Sequence, residues 1–403
     1  MKSITLKKPN LLIQIIGGIF LGTLLGNFCG ETIARIFVTF NNIFSNFLGF
    51  CIPLIIVGFV TPAIADIGKG AGKMLLLTVI LAYSLTIGAG ILSYFTSITF
   101  FPEMIAGLDN PASLEAETSL VPFFNVSMPP FIDIMSALVL SFITGIGLTQ
   151  IKIEKSVLKL GVSEFRDIVE WVIAKIIVPL LPLYIFGIFL KMAFTGEVGS
   201  VLTAFSKIIL VIFVLHIVWL LIIYSIGAIF SKEEKNPLKL LWKMMPAYFT
   251  ALGTSSSAAT IPVTLRQTVK MGIDEDIAGF TIPLCATIDL SGSALKIVAC
   301  AIALMIMHDI PFDFGLFFYF ISMMGIALVA APGVPGGSIM AALALLTSIL
   351  GFSETDCALM IALYIAMDSF GTACNVTGDG AIALIVNRFF GSSAKPSIQP
   401  ANS

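Results

Sequence analysis

The chain has 403 residues, of which 58% are hydrophobic and only 11% are charged. An ordinary soluble domain carries about 25% charged residues, so the composition excludes a soluble globular protein and indicates one that crosses a membrane several times. The net charge of −2 comes from charges in short loops, so no nucleic-acid partner is indicated.

Eight apolar runs approach or exceed the ~20 residues that a helix needs to span a bilayer. They lie near 11–29, 36–64, 74–100, 129–150, 168–195, 201–230, 277–307 and 355–387. The sequence therefore predicts an all-α polytopic membrane protein with eight transmembrane helices.

Two further apolar segments, 240–265 and 314–350, are interrupted midway by small and helix-breaking residues. The interruptions read GTSSSAATIP at 253–262 and APGVPGG at 331–337. Neither half of either segment is long enough to cross, and non-helical backbone is tolerated at membrane depth only inside protein or beside a cavity. Both segments are therefore predicted to be re-entrant helical hairpins.

The placement of charge orients the chain. With two re-entrant hairpins, the loops that hold the clusters of Lys and Arg residues fall on one side, which the positive-inside rule assigns to the cytoplasm together with both termini. The connection 101–130 carries only acidic charges and falls on the opposite side. We expect a cell (inner) membrane protein.

Three regions follow from the distribution of polar residues. Residues 1–231 form a mainly scaffold region of six spans, 236–390 form the working core of hairpin, span, hairpin and span, and 391–403 form a cytoplasmic tail. The hairpin-plus-span unit occurs twice with opposite entry sides. Such inverted repeats place a binding site near the membrane midplane in transporters.

The eighth span carries the densest polar pattern. Asp368, Thr372, Asn375 and Asp379 follow spacings of 4, 3 and 4, which puts them on one helical face. Because a lipid-facing stripe of this kind is too costly, the face is predicted to line the interior of a transporter.

The hairpin tips are candidate anion sites, because backbone N–H groups at helix starts attract negative charge. The tip residues are Ser255, Ser256 and Ser257 in the first hairpin, and Gly333, Val334, Pro335 and Gly336 in the second. The alternative interpretation of each tip is a tight turn between packed helices.

The seventh span is interrupted by ATIDLSGSALK at 286–296. An unwound helix would free carbonyl oxygens beside Asp289 and Ser291, and hard cations such as Na⁺ take oxygen ligands. Lys296 lies seven positions after Asp289, and an ion pair between the two is the favoured interpretation. The alternative is a built-in cation that replaces a transported one.

Four motifs, GTSSSAATIPVT, FTIPLCATIDLSGSAL, GVPGGSIM and DSFGTACNVTGD, occur in order over 253–390. They resemble the dicarboxylate/amino acid:cation symporter family, the glutamate-transporter homologues. The resemblance implies a homotrimer in which a mobile core of two hairpins and two spans moves like an elevator within the lipid bilayer. It also implies that Asp368 holds a substrate α-amino group and that Asn375 and both tips hold the α-carboxylate.

The resemblance further implies a Na⁺ site at Asp379, assisted by carbonyl groups of Asn375 and the seventh span. Ser291 replaces the aspartate of a third cation site, for which Asp289 is a substitute. Gly371 and Ser255 stand where members with acidic substrates carry arginine. The pocket is thus closest to that of the neutral amino acid (serine/threonine) members.

We therefore expect a secondary active symporter that imports a small neutral amino acid with Na⁺, and no organic cofactor. Thr372 and the space left by Gly371 would receive the short side chain. The alternatives are a proton- or sodium-coupled acidic amino acid or dicarboxylate carrier, an ion channel, and a membrane-embedded enzyme. The sequence shows no nucleophile–base pair of the kind an enzyme would need.

Overall fold

The computed structural model describes residues 11–67, 73–105, 120–150, 156–196, 198–329 and 336–391, and all regular secondary structure within them is helical. A five-residue π-helical turn, Ile173–Ile177, joins the helix Val157–Val172 to the helix Val178–Thr195. The helices are α1 (Leu11–Gly26), α2 (Glu31–Ile67), α3 (Lys73–Ile105), α4 (Ile134–Gln150), α5 (Val157–Val172), α6 (Val178–Thr195), α7 (Val198–Phe230), α8 (Pro237–Thr254), α9 (Ser257–Lys270), α10 (Glu275–Ile288), α11 (Ser291–Met307), α12 (Phe314–Val329), α13 (Gly337–Ser348), α14 (Glu354–Ala366) and α15 (Asp368–Phe390).

Five helical segments in the described ranges are long and apolar enough to cross a membrane. A sixth candidate is the pair α14 and α15, which is bent by 62°. Helices α1 and α4 have only 16 and 17 residues, fewer than the ~20 that a span requires. The all-helical, multi-pass class is thus confirmed, and the count of eight spans stays a prediction. The five segments are Glu31–Pro62, Lys73–Ile105, Val157–Thr195, Val201–Phe230 and Glu275–Met307.

The first interrupted segment folds as a helix–turn–helix unit. Helix α8 begins after Asn236, whose side chain accepts hydrogen bonds from two backbone N–H groups of the first turn. It ends at Thr254, because Ser255 takes the left-handed conformation with φ 51°. Ser256 then caps α9 by accepting a hydrogen bond from the Ala259 N–H group, and the two helices pack against each other.

The second interrupted segment consists of α12 and α13, which also pack together. Gly336 directly precedes α13 with φ 78°, a conformation that favours glycine. The other predicted tip residues, Gly333, Val334 and Pro335, lie outside the described residues.

The seventh span is broken where the sequence predicts. Helix α10 ends at Ile288, and α11 starts at Ser291. Asp289 between them has extended backbone angles, φ −89° and ψ 100°. The break leaves the first N–H groups of α11 without partners inside the helix, and it places them deep in the protein.

The helices pack in two groups that do not follow chain order. In one group α2 contacts α4, α5 and α6, and α1 contacts α6, whereas in the other α3 and α7 pack on the polar helices α11 and α15. Helices α13 and α14 contact both groups. The region 1–231 therefore supplies two helices, α3 and α7, to the surroundings of the polar face.

Helix α1 packs on α6 through three glycines that lie one turn apart. A Cβ atom at Gly18 would lie 2.7 Å from the carbonyl oxygen of Pro182, and Cβ atoms at Gly22 and Gly26 would lie 2.5 Å from carbonyl oxygens farther along α6. Only glycine permits this backbone contact. Such stripes of small residues are typical of helix packing in membranes.

Candidate functional site

The polar face predicted for the eighth span exists and is buried. Asp368, Thr372, Asn375 and Asp379 all lie within α15, and each is less than 10% exposed. Helices α7, α8, α10 and α11 surround α15. The face is therefore turned toward other helices, as the cost of exposing carboxylates to lipid requires.

The ammonium group of Lys296 contacts Asp368 at the start of this face. The Nζ atom lies 3.1 Å from Oδ1 of Asp368 and 3.4 Å from the centre of the Tyr364 ring, and the lysine is fully buried. The other carboxylate oxygen accepts a hydrogen bond from the Gly336 N–H group at 3.3 Å. The expectation that Lys296 pairs with Asp289 is wrong, because the break before α11 removes Asp289 from the helical register of Lys296.

The lysine side chain runs over Gly371. A Cβ atom at Gly371 would lie 2.7 Å from Nζ and 2.9 Å from Cε of Lys296. The space beside Gly371, which was expected to receive a short substrate side chain together with Thr372, is therefore occupied by Lys296. The absence of a side chain at Gly371 makes room for Lys296 and does not leave an open pocket.

Both hairpins reach the start of α15. The Oγ atom of Ser255 lies 2.7 Å from the Oγ atom of Ser369, and Gly336 bonds to Asp368. Ser257 is the first residue of α9 and stands beside this turn. The structure thus brings together the start of α15, the first tip and the described end of the second tip. No contact of Ser257 tests its predicted role.

Asn375 connects α15 to the break. Its Oδ1 atom accepts hydrogen bonds from the N–H groups of Gly292, at 2.8 Å, and Ser293, at 3.3 Å. Its Nδ2 atom donates to the Ser293 Oγ atom at 3.2 Å. Because Leu290, at the N-cap position of α11, provides no side-chain hydrogen bond, Asn375 satisfies the start of α11 from a neighbouring helix.

Asp289 and Asp379 form the other polar centre of the site. Both are 1% exposed. Among the described residues, Oδ2 of Asp289 and Oδ1 of Asp379 have no hydrogen-bond partner. A Cβ atom at Gly378 would lie 3.0 Å from Oδ2 of Asp289, so this glycine makes room for the carboxylate. Unpartnered buried acceptors of this kind suit a cation with oxygen ligands.

Ser291 lies at the same centre, and its backbone N–H group donates to Oδ1 of Asp289 at 3.3 Å. Tyr224, from α7, donates its hydroxyl hydrogen to the carbonyl oxygen of Thr377 at 2.7 Å. That contact holds α7 against α15 two residues before Asp379. The predicted Na⁺ ligands Asp289 and Ser291 therefore lie together beside Gly378, the residue before Asp379, while the amide of Asn375 bonds to α11.

Two residues of the site were not predicted from the sequence. His216, from α7, is buried, and its Nε2 atom donates to the carbonyl oxygen of Gly292 at 3.0 Å. Tyr364, from α14, places its hydroxyl 3.1 Å from the Oγ atom of Ser293 and its ring under Lys296. A lone histidine and a lone tyrosine in apolar runs give no local signal of these contacts.

Comparison with known proteins places the chain among transporters. Residues 11–389 match the family described as the sodium:dicarboxylate symporter family. Similar proteins include excitatory amino acid transporter 1 of Rattus norvegicus, with 32% identity over 202 residues, and excitatory amino acid transporter 5 of Homo sapiens, with 33% over 202 residues. Each alignment covers 50% of this chain, and 36% and 35% of the two relatives, respectively.

A third relative is neutral amino acid transporter B(0) of Mus musculus, which is 26% identical over 274 residues. That alignment covers 66% of this chain and 48% of the relative. The chain thus spans about half or less of the length of these relatives.

Proposed function

The chain belongs to the sodium:dicarboxylate symporter family, whose members are transporters and not enzymes, and from this premise we propose that it carries a small carboxylate-bearing solute with Na⁺. In this proposal Na⁺ is the second transported species. The solute binds between the hairpin tips and the start of α15, and Na⁺ binds at Asp289, Ser291 and Asp379.

One observation carries the Na⁺ part of the proposal. Two carboxylate oxygens, on Asp289 and Asp379, are buried at the centre of the protein without a hydrogen-bond partner among the described residues. An unpaired buried carboxylate is costly, and a hard cation with oxygen ligands relieves that cost. Bound Na⁺ would offset the cost of burying these carboxylates. The stability of the site would therefore depend on whether Na⁺ is bound.

The substrate has two candidates. The small neutral amino acid predicted from the sequence is supported by the absence of arginine at Gly371 and Ser255, and by the similarity to a neutral amino acid transporter. A carboxylate or dicarboxylate carrier is supported by Lys296, a buried ammonium group at the start of α15. Coupling to protons instead of Na⁺ is the alternative for either substrate.

The architecture of transport is also a proposal. The two helix pairs, α8 with α9 and α12 with α13, would be re-entrant, and the core 236–390 would move against the scaffold in a homotrimer of the cell inner membrane with both termini in the cytoplasm. The contacts of α3 and α7 with α11 and α15 support a core that carries these two helices with it.

A transport assay tests the Na⁺ part directly. Purified protein in proteoliposomes is given labelled serine, alanine, aspartate and malate, with an inward gradient of Na⁺, of protons, or of choline at equal ionic strength. We expect uptake of at least one compound to rise about tenfold or more with the Na⁺ gradient alone. Uptake that rises only with the proton gradient would show that protons, and not Na⁺, drive transport.

A binding measurement covers the case in which the panel lacks the substrate. Thermal unfolding in detergent is recorded in NaCl and in choline chloride at equal concentration. A ligand that binds only the folded protein raises the melting temperature, so we expect Na⁺ to raise it. Glu275→Gln, at the exposed start of α10, is the control that keeps the shift. Equal melting temperatures in the two salts would contradict the Na⁺ site.

A further inference from the structure

Lys296 completes a charge pair inside the region where the solute is proposed to bind. Three parts of the protein lie against this side chain: the Asp368 carboxylate at 3.1 Å from Nζ, the centre of the Tyr364 ring at 3.4 Å, and Gly371. The lysine has no exposed surface. The carboxylate of Asp368 therefore already has the cation that it needs.

A ligand with an ammonium group would compete with this lysine. A buried carboxylate is the natural partner of such a group, since charge-assisted hydrogen bonds are the strong ones. To reach Asp368, however, the ligand must displace Lys296 and leave a second buried ammonium without a counter-charge. Breaking a buried ion pair in this way is strongly unfavourable, on the order of a 100-fold loss of affinity or more.

We propose that Lys296 is a specificity-determining residue whose tethered ammonium excludes amino acids, so that the transported solute is a small carboxylate without an amino group. This inference rests on the proposed function and deepens it. A hydroxy or oxo carboxylate of three or four carbons, with one or two carboxylate groups, is the class that fits.

The surroundings of the pair suit an anionic ligand. Helix α9 begins beside Ser369, where Ser255 contacts α15, and α13 begins beside Asp368, where the Gly336 N–H group donates to it. Two helix starts, each with a positive partial charge, therefore lie near the first turn of α15. Because Lys296 cancels the charge of Asp368, no net negative charge at that place repels a carboxylate.

The test compares ligands that differ only in the group at the α carbon. L-Serine is paired with L-glycerate, L-alanine with L-lactate, and L-aspartate with L-malate, so an ammonium is exchanged for a hydroxyl on the same skeleton with the same configuration. Equilibrium binding to the purified full chain in detergent is measured by calorimetry in saturating NaCl. We expect the hydroxy acid of at least one pair to bind the wild type about tenfold or more tightly than its amino acid.

Lys296→Met is the informative variant, because methionine keeps an unbranched side chain over Gly371 and removes the charge. Because Asp368 then has no lysine partner, we expect the preference between the hydroxy acid and its amino acid to reverse, with amino-acid affinity rising about tenfold or more. Lys296→Met with Asp368→Asn removes both charges and should lose that gain. The preference of the wild type between each hydroxy acid and its amino acid decides the question even if the methionine variant does not fold.

The possible results separate this inference from the proposed function. A wild type that binds an amino acid more tightly than its hydroxy acid overturns the role of Lys296, whether or not uptake requires Na⁺. Binding of none of the six compounds to either protein also overturns it, whereas amino-acid binding gained only by Lys296→Met supports it. A hydroxy-acid preference without Na⁺-driven uptake would refute the transport proposal and leave the role of Lys296 intact.

Discussion

The two ends of the polar face of α15 bury their carboxylates in different surroundings. At the first end, Asp368 has an ammonium at 3.1 Å and a backbone N–H group at 3.3 Å. At the second end, Asp379 and Asp289 are both buried, and each has an oxygen with no partner among the described residues. The Asp368 carboxylate is thus paired with a cationic side chain, whereas the carboxylates at the second end leave two oxygens free to bind a cation.

In the proposed function, this difference lets the site combine a fixed charge pair with an exchangeable ion. Both members of the Asp368–Lys296 pair are side chains of the chain itself, so this pair does not depend on ions in solution. The two carboxylates near the break would take Na⁺ from solution, so we expect their state to follow the Na⁺ concentration. Four substitutions test the comparison, and they are ordered by the size of the expected effect.

Asp368→Asn tests the first end and should have the largest effect. It leaves Lys296 buried without a counter-charge, which costs about 3–5 kcal/mol in the free energy of unfolding. Reversible unfolding in mixed detergent micelles measures this loss. Adding Lys296→Met to Asp368→Asn should recover most of the stability. A double variant as unstable as the sum of the single variants would show that the two groups are not coupled.

Asp379→Asn tests the second end. Removing a charged ligand is worth about 1.5–3 kcal/mol, so the Na⁺ concentration at half-saturation should rise roughly 10- to 100-fold. The stability in choline chloride should stay equal or improve, because an uncompensated buried charge is removed. The measurement is the melting temperature as a function of NaCl. An unchanged Na⁺ midpoint would place the cation elsewhere in the protein.

Gly371→Ala tests whether the first end is closely packed. The new methyl group would lie 2.7 Å from the Lys296 ammonium, and overpacking of this kind costs about 1–3 kcal/mol. The matched control is Gly279→Ala in α10, where a Cβ atom has no neighbour within 4 Å. That control should be neutral or stabilise the helix by about 0.5–1 kcal/mol. Equal effects at the two positions would mean that the lysine moves freely.

Ser256→Ala should have the smallest effect. The side chain caps α9 by accepting from the Ala259 N–H group, and the loss of such a cap costs about 1 kcal/mol of stability. Ser257→Ala, one position later and inside α9, is the control and should change stability little. Both variants are measured without substrate. A larger loss at Ser257 would mean that the turn, and not the cap, holds the tip.

Local signals were enough to predict much of the site. The 4, 3, 4 spacing on α15, the turn at Ser255 and the break at Asp289 each arise within a few residues of chain, where polar or small residues interrupt an apolar run. The all-helical class follows from the same runs. These features could be predicted because their causes are hydrophobicity and backbone preference.

Contacts between distant segments could not be predicted in the same way. Lys296 had two carboxylates within possible reach, Asp289 seven positions away and Asp368 in another helix, and only the geometry of the break separates them. The bend at Met367 also lacks a local signal, since sharp kinks usually occur at proline or glycine and neither stands there. The packing of α3 against α11 likewise depends on the assembled helices.

The glycine stripe of α1 has a consequence for how the protein is made. Gly18, Gly22 and Gly26 bring the backbone of α1 against that of α6, so the contact forms only when both helices are present. Helix α1 precedes its partner Val178–Thr195 in the chain, and α2 to α5 are synthesised between the two. The contact therefore forms late in assembly, and a variant with a bulky residue at Gly22 is expected to be synthesised normally yet to fail at this step.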